Sequence, residues 1–561
     1  MQARTSPGTC AARSGPDAGK ARSGLVAGSP RPAALALLIA LLVTSACTAQ
    51  SPTPPQHSSA AGQSTPTVAS QGAPSASSTE RPLEPVPSVR PKGMQDPPQG
   101  SGLERYASQS VVWEDCGTKN IPSKQCATVL VPLDYDHPNG PAITLAMARR
   151  LPTSNVTKGV LFINPGGPGG SGVDFVDSFE PHGLEKSYDI VGWDPRGVGK
   201  STPVECLDSE QMEDYTAADY SPDNPAEVAE LTALNTAFGR ACLAKSGKLL
   251  KHISTADTVQ DLDLLRQLLG QKQLNYFGSS YGTSIGAMYA TRYPDKVGRM
   301  VLDGATNIGG GSEVSQTYGF DRTMGNFADW CAEQKCRLGS TKAEVLGSVT
   351  GLLQRLDQHP IPGGRRDLTQ ALATSGLIYA LYFPASSWPV LLSGLQEAIF
   401  DDDGANLLKW ADEYNQRNAA GHFGQFNAAF PAIRCVDITD EGVRGAMHEW
   451  RQVEQRAPTI GPFMGPDLGC PTWPVKSTDD LSAKINYSAQ PPVLILGTTG
   501  DPATPYEYAE HMHQSLKSSR LITLKANGHL AYDQSSCVQK KVLGYLVDDQ
   551  VPSSDSTCKD G

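Results

Sequence analysis

The sequence predicts an α/β fold: a mainly parallel sheet with helices on both faces, interrupted by a helical cap insertion. Three observations carry this. After about residue 110, short and nearly continuous apolar runs end in glycine or proline turns. Helical patterns alternate with them, which is the rhythm of a sheet buried on both faces. From residue 306 to about 485 the pattern turns mostly helical, and the sheet rhythm then resumes.

Taken in order, "AITLAMARR" (142–150), "GVLFINPGG" (159–167) and "YDIVGWDPRG" (188–197) read as strands, the last two ending in turns. "TADTVQDLDLLRQLLG" (255–270) is an amphipathic helix with Val259, Leu262, Leu265, Leu268 and Leu269 on one side and Gly270 as its stop. "LNYFGSSYG" (274–282) is a strand running into glycines, "TSIGAMYATRYP" (283–294) a helix that Pro294 ends, and "RMVLDGA" (299–305) a strand. The insertion holds the helical runs "KAEVLGSVTGLLQRLDQ", "SSWPVLLSGLQEAIF", "ANLLKWADEYNQR" and "GVRGAMHEWRQVEQ". "PPVLILGTTGDPATP" and "SRLITLKANGHLAY" return to strands. The expected division is 106–305 and 486–561 for the sheet domain and 306–485 for the insertion.

The N-terminus reads as a separate matter. Lys20, Arg22 and Arg31 precede the apolar run "AALALLIALLV" (33–43), and "TSAC" follows. A basic region, a short apolar core and small residues before a cut describe an export signal, and the run is too short for a spanning helix. Small residues before Cys47 resemble a bacterial lipoprotein signal, making Cys47 the expected lipidation site. Thr44 stands where such signals usually carry leucine, so plain secretion is the alternative. Residues 48–105 are expected to form a tether. Up to residue 100 they are rich in Ser, Thr, Pro, Gln, Ala and Gly, too poor in large apolar side chains to bury a core.

The formal net charge of −11 argues against nucleic-acid binding, which needs a basic face. Beyond Cys10 and Cys47, ten cysteines remain: Cys116, Cys126, Cys206, Cys242, Cys331, Cys336, Cys435, Cys470, Cys537 and Cys558. An even count in an exported chain reads as disulfides. Sequence neighbours suggest 116–126, 206–242, 331–336, 435–470 and 537–558, a connectivity that spacing does not prove. No CxxC pair points to a metal, and no cofactor is implied.

The chemistry centres on "GSSYG". Gly278 and Gly282 flank Ser280 at G-x-S-x-G spacing, whereas Phe277 and Tyr281 stand where Ser279 would need glycines. A strand turning sharply into a helix leaves such a serine strained at the tip. A serine hydroxyl needs a base, and the base an orienting acid. Asp501 lies just past one later strand and His529 just past the next, in the α/β-hydrolase order Ser, Asp, His. The oxyanion formed on attack needs donors. The backbone N–H of Tyr281 is one, and the loop "FINPGGPGGSG" (162–172) offers another at Gly167, since Pro168 has no N–H. "RGVGKST" (196–202) only imitates a phosphate loop, because Asp194 replaces its first glycine. "HEWRQ" from His448 lacks the second histidine of a zinc motif.

"INPGGPGGSG", "DIVGWDPRGVGKS", "FGSSYGT", "GTTGDPATP", "NGHLAY" and the stretch from Val112 to Pro138 together resemble the secreted tripeptidyl aminopeptidases of actinobacteria, within the proline iminopeptidase group of α/β-hydrolases. The likeness covers roughly residues 110 to 560. It implies a serine exopeptidase with a helical cap, with Ser280, Asp501 and His529 on the triad positions and Tyr281 and Gly167 on the oxyanion positions. Related iminopeptidases commonly open the glycine loop with histidine, where this chain has Asn164–Pro165. The implied partners are peptides or proteins with a free N-terminus, with membrane contact only through a lipid anchor. Glu333 and Asp437 are acids of the insertion with no motif that marks them as ammonium acceptors. The rival readings are a carboxylesterase or lipase on the same fold and a non-catalytic surface binding protein.

Overall fold

The computed structural model describes residues 91–119, 121–155, 157–309, 314–476 and 485–561. The expected signal region, Cys47 and the tether up to residue 90 lie outside the described residues.

Ten strands form one sheet: β1 (Glu114–Asp115), β2 (Gln125–Pro132), β3 (Ala142–Arg150), β4 (Val160–Asn164), β5 (Asp189–Trp193), β6 (Leu274–Ser279), β7 (Val297–Asp303), β8 (Val493–Gly500), β9 (Ser519–Asn527) and β10 (Ser556–Cys558). Their spatial order is β1-β2-β3-β5-β4-β6-β7-β8-β9-β10. The pairs from β1 to β3 and β3 with β5 are antiparallel, and all others are parallel. The apolar runs are continuous because both faces are covered. In β4, Val160 and Phe162 join one apolar cluster while Leu161 and Ile163 join the cluster on the other face. In β8, Val493 and Ile495 divide from Leu494 and Leu496 in the same way.

Before the insertion come helices α1 (Gly172–Ser178), α2 (Ser209–Ala217), α3 (Pro225–Ser246), α4 (Thr255–Leu268) and α5 (Gly282–Arg292). Between β7 and β8 run α6 (Gln316–Glu333), α7 (Lys342–Gln358), α8 (Gln370–Leu381), α9 (Trp388–Phe400), α10 (Ala405–Tyr414), α11 (Phe426–Asp437) and α12 (Gly442–Arg456). Helices α13 (Tyr506–Ser515) and α14 (Ser536–Leu546) follow. Helices α3, α4, α5 and α13 bury residues such as Phe238, Leu262, Ile285 and Met512 against one face, and α1 and α14 bury Val173, Val176, Val538 and Val542 against the other. The segment between β7 and β8 has its own core, built from Phe320, Phe327, Leu353, Leu377, Leu391 and Leu407. Helix α11 departs from it, since Ala428, Ala432, Ile433 and Val436 pack into the sheet's cluster.

Gly93 and Gln95, within the stretch 91–105 that the sequence reading gives to the tether, are bonded to the sheet side of the fold. Gln95 exchanges both backbone hydrogen bonds with Ala142, and Thr202 Oγ1 donates to the Gly93 carbonyl. Among the described residues five disulfides join Cys116 to Cys126, Cys206 to Cys242, Cys331 to Cys336, Cys435 to Cys470 and Cys537 to Cys558. No helix among the described residues is long and apolar enough to cross a membrane.

The loop after β5 is pinned by a buried ion pair. Arg196 and Asp261 are both fully buried and meet through two hydrogen bonds of 2.7 Å. Arg196 also donates to the carbonyls of Leu133, His252 and Pro132, and the Tyr135 hydroxyl donates to Asp261. Arg196→Met would strand the carboxylate of Asp261. Breaking one side of such a pair costs about 3–5 kcal/mol, so a loss of that size is expected in urea unfolding at neutral pH.

Candidate active site

Ser280 sits between β6 and α5 with φ +53°, a left-handed conformation rare for a residue with a Cβ. Holding it there costs on the order of 1–3 kcal/mol, and the surroundings supply the constraint. Its N–H donates to the Asp303 carbonyl at 2.8 Å, and its own carbonyl accepts from Thr283 N–H and Oγ1. The flanking glycines have a steric reason. A Cβ on Gly278 would come within 2.4 Å of the Gly282 carbonyl oxygen, and one on Gly282 within 2.9 Å of Asn164 Oδ1. Ser279, by contrast, is buried as the last residue of β6.

Asp501 follows β8 and is fully buried. One carboxylate oxygen accepts from the N–H groups of Ala503 and Thr504, at 3.0 and 2.8 Å. The other accepts from Thr504 Oγ1 and the Leu530 N–H, at 3.0 and 3.1 Å. Both oxygens lie 2.9 Å from His529 Nδ1. Because an ionised carboxylate only accepts, Nδ1 is the donor in this contact, and in the neutral ring Nε2 is the nitrogen left to take a proton. That Nε2 is buried and has no hydrogen-bond partner among the described residues.

The end of β7 brings the serine and the histidine loop together. While the Asp303 carbonyl holds the Ser280 N–H, its carboxylate accepts the N–H groups of Ala531 and Tyr532, each at 2.9 Å. Gly304, the next residue, is so close to the imidazole that a Cβ there would lie 3.2 Å from His529 Cε1. Burial pushes the Asp303 carboxyl up to about 7, and the two N–H groups oppose that rise only in part.

The glycine loop after β4 lies against the elbow. A Cβ on Gly166 would come 2.8 Å from Ser280 Cβ and 2.9 Å from the Tyr281 nitrogen. Gly166 and Gly167 have φ of +96° and +112°, which a side chain would strain. The Gly166 N–H is taken by Asn164 Oδ1 at 3.0 Å. Those of Gly167 and Tyr281 meet no acceptor among the described residues, and two free donors beside a serine suit an oxyanion. Helix α11 covers this loop: a Cβ on Gly167 would lie 3.1 Å from Phe426 Cε2, and one on Gly169 2.9 Å from Ala429 Cβ.

All five expected site residues thus come to one rim of the sheet. Sequence reasoning missed Asn164 and Asp303, whose roles depend on neighbours distant in the chain. Asp303 stood in view as a polar residue closing an apolar strand. Of the two acids without a motif, Glu333 is exposed at the end of α6. Asp437 is buried and accepts from Thr255 N–H and Oγ1, at 2.8 and 2.6 Å, and Thr255 Oγ1 also bonds the Tyr281 hydroxyl. It therefore braces the elbow's tyrosine.

Asp303 yields a pH prediction. An unfolded aspartate titrates near 3.9, so between about pH 4 and 7 the folded chain binds the extra proton. The contribution of Asp303 to stability then falls as pH rises through that window. Asp303→Asn is expected to remove that part of the slope when unfolding midpoints are measured from pH 4 to 8.

Residues 159–429 match the family model described as alpha/beta hydrolase fold, and residues 457–558 match one described as TAP-like protein. A tripeptidyl aminopeptidase of Streptomyces lividans is 34% identical over 480 residues, covering 81% of this chain and 87% of that protein. The serine protease Hip1 of Mycobacterium tuberculosis is 35% identical over 485 residues, with 81% and 92% covered. A carboxylesterase B of the same organism is 35% identical over 471 residues, with 80% and 89% covered. The chain belongs to the tripeptidyl aminopeptidase-like family of α/β-hydrolases.

Proposed function

We propose that this protein is an exported serine exopeptidase that releases short peptides, tripeptides foremost, from the free N-terminus of peptides and proteins. The observation that carries this is the state of His529. Its Nδ1 lies against a buried carboxylate, and its Nε2, at the rim that bears Ser280, is buried with no hydrogen-bond partner among the described residues. Ser280 attacks the scissile carbonyl as Nε2 takes its proton. Asp501 keeps the imidazole in the right tautomer and stabilises the imidazolium. The N–H groups of Tyr281 and Gly167 hold the oxyanion. His529 returns the proton to the leaving amine, and water then resolves the acyl-enzyme by the same steps in reverse. The helical segment between β7 and β8 acts as a cap that admits chain ends and excludes folded loops.

The experiment is mass spectrometry of a defined peptide mixture. Wild type is expected to release N-terminal tripeptides from free peptides and nothing from N-acetylated ones. Ser280→Ala should lower the rate by at least about 10⁴-fold. The similarity to carboxylesterase B favours ester hydrolysis as the second reading. Cleavage of acyl esters with indifference to N-acetylation would establish that reading instead.

Export is supported by five disulfides, which persist in oxidising compartments. Lipidation at Cys47 is the finer proposal, with plain secretion as its rival. Cys47→Ala should move the protein from the membrane fraction to the soluble exported fraction, and an unchanged distribution would favour the rival.

A further inference from the structure

Two constraints act on the His529 ring from the acid side and the loop side, and neither fixes where Nε2 points. The contacts of Nδ1 with Asp501 hold one nitrogen of the ring and leave the opposite edge, with Nε2, to other neighbours. The backbone on either side is tied down: the Gly528 N–H donates to the Gly500 carbonyl, and Ala531 and Tyr532 donate to Asp303. The N–H of His529 itself donates to the carbonyl of Tyr382, at 2.8 Å. Tyr382 caps the C-terminus of α8, inside the helical segment, and its ring stands perpendicular to the imidazole with centroids 5.2 Å apart. Gly304 also approaches the imidazole, since a Cβ on it would lie 3.2 Å from Cε1. The ring is therefore packed against Tyr382 and beside Gly304.

Tyr382 is itself held. The Tyr382 ring lies 5.6 Å from Phe320, which is buried in the core of the helical segment. The two residues after Tyr382 meet the histidine loop as closely. Gly528 has φ +112°, and a Cβ there would lie 2.9 Å from the Pro384 nitrogen and 3.1 Å from the Phe383 carbonyl oxygen. A loop this close to 382–384 moves when they move.

We propose that Tyr382 is a positioning residue, whose ring and carbonyl aim His529 Nε2 at Ser280 and so couple the docking of the helical segment to proton transfer. The proposal rests on the reading of Ser280, Asp501 and His529 as a catalytic triad. Among the described residues no hydrogen bond of the Tyr382 hydroxyl is found, so the ring carries the effect. A displacement of about 1 Å at a reacting group can cost about 10²-fold in rate, which sets the scale of the loss.

The test compares Tyr382→Phe, Tyr382→Leu and Gly528→Ala with wild type, using kcat and KM on a tripeptide amide and the rate of inactivation by a fluorophosphonate probe. Y382F keeps the ring and should stay within about twofold of wild type. Y382L and G528A should lose about 10- to 100-fold in kcat and in probe reactivity, with KM within about threefold. Thermal unfolding accompanies each variant. If Y382L is not recovered folded, Tyr382→Met, which keeps comparable bulk, replaces it with the same two outcomes. A wild-type kcat in Y382L, a loss confined to KM, or an equal loss in Y382F would overturn the assignment. Failure of the probe to label wild type would instead sink the triad reading, whereas equal labelling of wild type and Y382L would sink only the role of Tyr382.

Discussion

The site depends on the last residue of β7. Asp303 uses its carbonyl to hold the strained Ser280 and its carboxylate to hold the loop that carries His529. Ser280 and the loop of His529, separated by about half the folded chain, are thus referenced to one residue on one strand. Its carboxylate is fully buried, so its desolvation is a standing cost, offset in part by two backbone donors. Around this centre the other constraints are local. Thr504 and the Ala503 amide fix Asp501, Asn164 shapes the glycine loop, and the Gly278–Gly282 pair lets strand and helix approach.

Much of this was legible in the sequence because the chemistry is written in short motifs at strand ends. G-x-S-x-G distinguished Ser280 from Ser279, and the positions of Asp501 and His529 after successive apolar strands placed all three at one edge. The strands beside the elbow were readable from continuous apolar runs. Helix α8 was not, because ten of its twelve residues are buried and no polar face marks its period. Helix α11 was hidden by Pro431 within it. The tether's length was overestimated, because the pairing of Gln95 with Ala142 uses backbone atoms, to which composition is blind. The bracing acids Asp303 and Asp437 carry no motif at all, since their partners come from segments tens to hundreds of residues away.

The helical segment adds what the sheet alone lacks. Ester and amide hydrolysis share the triad and the oxyanion donors, so selectivity for a chain end has to come from what surrounds them. Two of the segment's helices reach the site directly. The end of α8 touches the histidine loop, and α11 lies on the glycine loop through Phe426 and Ala429 while its last residue, Asp437, braces Tyr281 through Thr255. The segment is therefore packed against the loops that carry His529 and Gly167.

The central claim is that Ser280, and no other hydroxyl, is the nucleophile activated by His529. Peptide mapping after fluorophosphonate labelling tests it most directly. Ser279 and Ser280 fall in the same tryptic peptide, Gln273–Arg292, so fragmentation within it distinguishes them. The account predicts a single adduct on Ser280, lost in His529→Ala. An adduct on Ser279, or labelling of Ser280 that is indifferent to His529, would contradict it.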